Sequence, residues 1–249
     1  MNMKILVCIS KTPDTTSKIA FTEGNTKFDE NGVQWIINPY DEWYSLVKAI
    51  VLKEKDPSIL IHLITVGGAD TEPIIRKALA LGGDEAIRVN NTSNDSMVVA
   101  QEIAAIAKEG AYDLILTGKE TIDYNSASIG SMLCALLDTT FIPNAIALEV
   151  NGTTAIVKRE IEGGEESCET SLPIILSCQK GMAEQRIPNM RGIMAARTKP
   201  LKVVEAIIHN ATTSIKKFDT PPAKSGVKLV EAGNMDEMVR LLKEEAKVI

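Results

Sequence analysis

The chain has 249 residues, 45% hydrophobic, 24% charged and 4% aromatic, which is enough aliphatic surface to bury a core and too little bias for disorder. Its 27 Lys and Arg against 33 Asp and Glu leave a net charge of −6. That sign argues against long-range attraction to nucleic acid, so any phosphate it binds must be held locally. The length fits one large α/β unit or a domain with an appendage. The four cysteines, Cys8, Cys134, Cys168 and Cys178, form no CxxC pair, and with only His62 and His209 a zinc site is hard to assemble. Reduced, mostly buried thiols are expected. Apolar runs such as Ile59 to Val66 fall far short of the ~20 residues a membrane helix needs. The start leads directly into Ile5-Leu6-Val7-Cys8-Ile9 with no Arg/Ser-rich leader, which reads as the first core strand of a cytoplasmic protein.

In chain order, four continuous aliphatic runs, Lys4 to Ile9, Ile59 to Val66, Glu85 to Val89 and Leu114 to Leu116, alternate with helical patterns, the signature of a parallel sheet covered on both faces. Between the first two, residues 18–35 read as short extended pieces joined by Gly24-Asn25 and Asn31-Gly32, a small excursion on the sheet edge. A helix is expected with Asn38 as N-cap and Pro39 first, Asp41 and Glu42 at the positive end of its dipole, and Trp43, Leu46, Val47, Ile50 and Val51 toward the sheet. A second starts at Asp70, Thr71 and Pro73 and ends at Gly82-Gly83, and a third begins near Asp95 and stops at Gly110. Met132, Leu133, Leu136 and Leu137 mark a fourth. From Ala145 the pattern changes to period two, predicting an antiparallel meander that ends in Leu172 to Cys178. Residues 181–202 lack a period and read as an exposed functional loop or arm. A polar linker over 212–225 precedes a detached helix from Asp236, with Met238, Leu241 and Leu242 on one face in want of a partner.

In an open parallel sheet, ligands bind beyond the carboxyl ends of the strands where strand order reverses. That singles out Cys8 to Lys11, Asn38-Pro39-Tyr40, Val66 to Asp70, and Gly118 through Gly130. In the last, small and hydroxyl residues precede a helix, where hydroxyls and amides can cradle phosphate oxygens; an ordinary N-capped loop is an equal alternative on the residues alone. Lys11 and Asp14 are further candidates, while His62 and His209 read as core histidines inside aliphatic runs. There is no GxGxxG after a strand, no Walker loop, no GxSxG elbow and no Cys/His pair. A self-contained catalyst is not what these residues suggest.

The order of six blocks carries a resemblance: Lys4-Ile-Leu-Val-Cys-Ile-Ser-Lys with Pro13-Asp14-Thr15; Asn38-Pro39-Tyr40-Asp41-Glu42; Ile75-Arg-Lys-Ala-Leu-Ala-Leu-Gly-Gly83; Gly118-Lys119 with Ile122-Asp123; Lys158-Arg-Glu-Ile-Glu-Gly-Gly164; and Arg191-Gly-Ile-Met-Ala-Ala-Arg197. Over nearly its whole length the chain resembles the beta subunit of electron transfer flavoproteins. The resemblance implies an α/β fold, a doubly wound mostly parallel sheet of the adenine nucleotide alpha hydrolase type, with an antiparallel meander and a C-terminal partner-binding arm. It places a nucleotide-binding domain at 1–200, with a recognition loop at 183–194, and at 201–249 an arm and helix that pack on the partner subunit. It implies no catalysis by the chain alone, an FAD held mainly by an alpha subunit, and a structural AMP on Cys8, Asn38, Pro39, Tyr40, Asp41, Val66, Gly118, Ile122, Asp123, Ala127, Ser128 and Ile129. Tyr40 would approach the flavin and Glu160 would meet the alpha subunit's mobile domain. Met190, between Arg186 and Arg191, would dock acyl-CoA dehydrogenase-type donors, and a quinone-linked oxidoreductase would accept the electrons. Alternatives are an electron-bifurcating carrier with a second FAD in place of AMP, disfavoured by the short polar segment 90–96, and an adenine-nucleotide-hydrolysing enzyme of the same fold, which needs a phosphate loop where Ser10-Lys11-Thr12-Pro13 stands.

Overall fold

A computed structural model describes residues 3–208, 210–224 and 226–249. Met1, Asn2, His209 and Ser225 lie outside the described residues, and with them the core position expected for His209. The elements in order are β1 (Lys4–Cys8), β2 (Lys11–Pro13), β3 (Phe21–Thr22), β4 (Lys27–Phe28), β5 (Trp35–Ile37), α1 (Asp41–Lys55), β6 (Leu60–Val66), α2 (Glu72–Leu81), β7 (Glu85–Asn90), α3 (Ser96–Gly110), β8 (Leu114–Gly118) and α4 (Ile129–Leu137). They continue as β9 (Thr140–Asn151), β10 (Thr154–Ile161), β11 (Gly164–Ser171), β12 (Ile174–Cys178), α5 (Met190–Ala196), β13 (Leu201–Glu205) and α6 (Met235–Arg240). Nine strands form one mixed sheet in the order β11-β10-β9-β12-β8-β1-β6-β7-β13, parallel except for the β9-β10 and β10-β11 pairs.

Alternation along β1 shows why both faces need helices. Ile5 and Val7 enter the core beneath α1 and α2, while Leu6 and Cys8 enter the core beneath α3 and α4. Each fully buried aliphatic side chain there contributes roughly 1.5–3 kcal/mol. Strand order runs outward from β1 through β6 and β7 on one side, and from β8 on the other. The reversal at β1/β8 opens a crevice at their carboxyl ends.

Four expectations need correction. Ile174–Cys178 does not close an antiparallel meander; it lies between β8 and β9, parallel to both, with all five residues buried. Such a run belongs in a sheet covered on both faces, and only the preceding three strands, with their exposed outer positions, form the meander. Helix α1 begins two residues later than expected, with Tyr40 rather than Asn38 at its cap and no side-chain cap bond, because Asn38 is fully buried and engaged elsewhere. The 18–35 excursion does not join the main sheet: β2 pairs with β5 and β3 with β4 as two small ribbons. The region 181–202 is not irregular throughout, since α5 and the start of β13 fall within it.

Strand β13 lies on the far edge, parallel to β7. Beyond it, the backbone N–H groups of Ile207 and Ile208 donate to the Glu102 carboxylate at 3.0 and 2.9 Å. Thr212 and Thr213 then clasp Asp95 Oδ2 with four donors at 2.6–2.9 Å. Phe218 stacks on Phe21 with ring centroids 4.7 Å apart. Helix α6 and the π-helical turn after it (Leu241–Ala246) bury no residue.

Candidate functional site

The crevice is assembled by side chains at the start of α1. Asn38 Nδ2 donates to the Glu120 carbonyl at 2.7 Å, its Oδ1 accepts from Ile122 N at 3.3 Å, and its own N–H donates to the Ser10 carbonyl at 3.3 Å. One buried amide thus joins the loop after β1 to the loop after β8. Asp41 Oδ2 accepts from Glu120 N at 3.0 Å, and burial raises its carboxyl above the ordinary range against that hydrogen bond. Glu42 is buried and accepts from Ser10 N at 2.5 Å and Ser10 Oγ at 2.7 Å. Desolvation pushes its carboxyl up to about 8, the Ser10 hydrogen bonds opposing. Gly118 ends β8 where a Cβ would lie 2.8 Å from Glu42 Cγ and 3.0 Å from Asp41 Cβ. Only glycine lets α1 approach so closely without displacement.

The loop 119–128 carries two non-glycine residues in the left-handed region, Asn125 (φ 50°) and Ala127 (φ 48°), at a cost of roughly 1–2 kcal/mol for an alanine. It ends on Ser128, whose Oγ is buried with no hydrogen-bond partner among the described residues, at the head of α4, whose first-turn N–H groups lack intrahelical acceptors. A buried hydroxyl without a partner beside free N–H donors fits an acceptor-rich ligand such as a nucleotide phosphate or ribose. Cys8 closes the floor at the end of β1, and burial, then Glu42, raises its thiol far above the ordinary range. It stays a thiol. Val66 ends β6 beside it; Thr65 Oγ1 donates to the Ile9 carbonyl at 2.9 Å, and Lys11 pairs with Asp70 while lying 3.8 Å over the Trp35 ring.

The structure therefore brings Cys8, Asn38, Asp41, Gly118 and Ile122 together, with Val66 on the neighbouring strand and Ser128 and Ile129 at the far end of the same loop. Pro39 leads into α1, while Tyr40, Asp123 and Ala127 are exposed on the rim. Lys11 and Asp14 divide: Lys11 faces the crevice's β6 side, whereas Asp14 holds Thr16 in a local turn. His62 lies half-buried at the opposite end of the sheet, with Nδ1 2.9 Å from Tyr112 Oη.

The residues expected to meet partners lie elsewhere. Glu160, exposed on β10, accepts from Gln179 Nε2. Arg186 runs along the outside of α1, its carbonyl accepting from Trp43 Nε1 at 3.1 Å and its guanidinium pairing with both Glu54 oxygens at 2.6 and 3.0 Å. Met190 is 72% exposed and, with Ile187 at 86%, heads an apolar surface around α5. Arg191 is exposed beside it.

Comparison with known proteins bears on this arrangement. The family described as "Electron transfer flavoprotein domain" matches residues 25–209. An electron transfer flavoprotein subunit beta of Bacillus subtilis is 38% identical over 99% of this chain and 100% of its own. The chain belongs to the electron transfer flavoprotein beta-subunit family. A beta subunit from Syntrophomonas wolfei is 36% identical over 92% of this chain and 90% of its own. A protein named "Caffeyl-CoA reductase-Etf complex subunit CarD", from Acetobacterium woodii, is 30% identical over 98% of both chains. Electron transfer flavoprotein beta subunits are electron carriers rather than enzymes, associated with flavin and with an alpha subunit. No helix among the described residues is long and apolar enough to cross a membrane.

Glu42 is the residue that sequence reasoning undervalued as a dipole partner. Its signal was present, since it lies four positions before Leu46 on the buried stripe of α1, where a carboxylate needs a reason.

Proposed function

We propose that this chain is the beta subunit of a heterodimeric electron transfer flavoprotein, holding a structural AMP in the β1/β8 crevice and enclosing, with an alpha subunit, an FAD. Electrons would come from acyl-CoA dehydrogenase-type donors and leave to a quinone-linked oxidoreductase, in the cytoplasm. The observation that supports the AMP reading is the buried, partnerless Ser128 hydroxyl at the head of α4, a helix whose first-turn N–H groups have no intrahelical acceptor. FAD, when bound, supplies the redox chemistry. The chain's own residues position: Asn38 ties the two loops, Glu42 fixes Ser10, and Tyr40 stands exposed at the cap of α1 where a partner-held ring can reach it. Cys8 offers no redox thiolate.

The test is co-expression with a candidate alpha subunit, followed by acid extraction of the purified complex. One FAD and one AMP per pair of chains is the expected result; a colourless protein that copurifies with no second chain would overturn it. The likeness to a subunit of a reductase–Etf complex supports a second reading, a bifurcating carrier with a second FAD in the crevice. Two FAD and no AMP in the same extract would select it.

A further inference from the structure

A cleft of about 280 Å³ lies between the outer side of α1 and the segment that follows β12; Val47, Val51, Met182 and Ala183 line it around Lys48, together with the polar Glu184, Gln185 and Arg186. Lys48 is half-buried there. The other half-buried lysines all have partners: Lys4 donates to a carbonyl, Lys11, Lys53 and Lys119 pair with carboxylates, and Lys199 donates to two carbonyls. Among the described residues, Lys48 alone of these makes no ion pair or hydrogen bond. Arg186, the other cation of the cleft, is already committed to Glu54.

An amine that bonds to none of the polar groups lining its cleft, set beside Val47, Val51 and Met182 with open space in front of it, has the attributes of a nucleophile rather than of a structural charge. We propose that Lys48 is an N-acylation site for short-chain acyl thioesters, with the cleft receiving the acyl chain. The neutral amine attacks the thioester carbonyl carbon; a C–N bond forms, the C–S bond breaks, and the leaving thiolate takes the proton that nitrogen gives up. The products are an amide and a free thiol, with no change of oxidation state. Burial, with a smaller contribution from Lys55, lowers the Lys48 ammonium below the ordinary lysine range, Cys178 and Glu149 opposing. The fraction of neutral amine at a given pH therefore rises. Val47, Val51 and Met182 favour an acyl chain of several carbons over acetyl, since each buried methylene adds attraction. This inference does not depend on which nucleotide occupies the crevice.

The purified protein, with any subunit that copurifies, is incubated with butyryl-CoA or with acetyl-CoA at pH 8, and modified peptides are quantified by mass spectrometry over time. Lys48 should be acylated several-fold faster than Lys55, an exposed lysine of the same helix, and the butyryl-to-acetyl rate ratio should be larger at Lys48 than at Lys55. Rates at Lys48 equal to or below those at Lys55 overturn the proposal. Val51→Phe, which fills the cleft, should slow Lys48 several-fold and leave Lys55 unchanged, with the circular-dichroism melt reporting that the variant is folded. If that variant is unfolded, Ala183→Leu addresses the same space from the other wall. Undiminished acylation of Lys48 in a folded, cleft-filled variant removes the cleft from the explanation and overturns the proposal as stated.

Discussion

Asn38 and Glu42 make opposite kinds of claim about the crevice. Asn38 is neutral and satisfied by groups on two loops, so Asn38→Ala leaves the Glu120 carbonyl and the Ile122 N–H without their partner. A loss of about 1–3 kcal/mol is expected, read as a lower denaturation midpoint, together with reduced AMP in the acid extract; full AMP content would remove Asn38 from the site. Glu42 is an acid held partly in its neutral form. Its carboxyl is raised from an ordinary 4.5 to about 8. The stabilisation it contributes is therefore complete below about pH 4.5 and is lost as pH rises through about 8. Glu42→Gln, which keeps the shape without the titration, should flatten the decline in stability between about pH 5 and 8, measured by urea denaturation across that range. An unchanged slope would show that another group titrates. Of these two, Asn38 stood out in the sequence before Pro39, but as the expected cap of α1, a role excluded by its burial and its bonds to two loops. Glu42 was hidden because an acid in the first turn of a helix already has a sufficient explanation on the surface.

At the scale of elements, α5 and the segment after β13 show what local pattern can and cannot carry. Helix α5 has seven residues, too few for a period to emerge, and its place is set by Gly192, where a Cβ would lie 2.3 Å from the Ala80 carbonyl of α2. Alanine at an exposed helix site gains about 1 kcal/mol over glycine. Here the backbone clash exceeds that, so Gly192→Ala should lower stability by about 1–3 kcal/mol and speed protease cleavage near residues 183–199; a more stable variant would mean that α5 sits further from α2. The segment after β13 is held by the Asp95 clasp. Desolvation of that carboxyl is outweighed by hydrogen bonds from Thr212, Thr213 and Val98, which depress it below the ordinary range. A depressed acid contributes stability above its unfolded value, near 3.9, and loses it as pH falls through the folded value. Asp95→Asn should accordingly make the 210–218 stretch, which Thr212 and Thr213 anchor, as protease-sensitive at neutral pH as the parent protein is in acid. The parallel strands β1, β6, β7 and β8 were readable as aliphatic runs because they are buried on both sides. Strand β12 carries the same signature but follows two hairpins, and its neighbours in the chain suggested the wrong partners. Pairing is a long-range property that no window of residues contains.

For the whole molecule, separation is the main point: the crevice lies at the β1/β8 reversal, while Met190 and its apolar neighbours lie around α5, out beside α2. A change in one should therefore leave the other intact. Met190→Asp is expected to weaken electron acceptance from an acyl-CoA dehydrogenase by tenfold or more, about 1.4 kcal/mol, with flavin and AMP content unchanged; unaltered stopped-flow transfer rates would dissociate Met190 from docking. The family and the sheet's class were legible from the order of six blocks, whereas the crevice's buried acid and the parallel β12 emerge only once distant segments of the chain are brought together.

The late arrival of Ile174–Cys178 at the middle of the sheet has a bearing on biosynthesis. While the ribosome is still upstream of that stretch, the nascent protein has made β8 and β9 but has nothing to put between them. Two rows of backbone donors and acceptors face an empty slot. Productive collapse must wait for a distant piece of polypeptide, so this carrier should complete its folding late in translation and depend on being shielded until then.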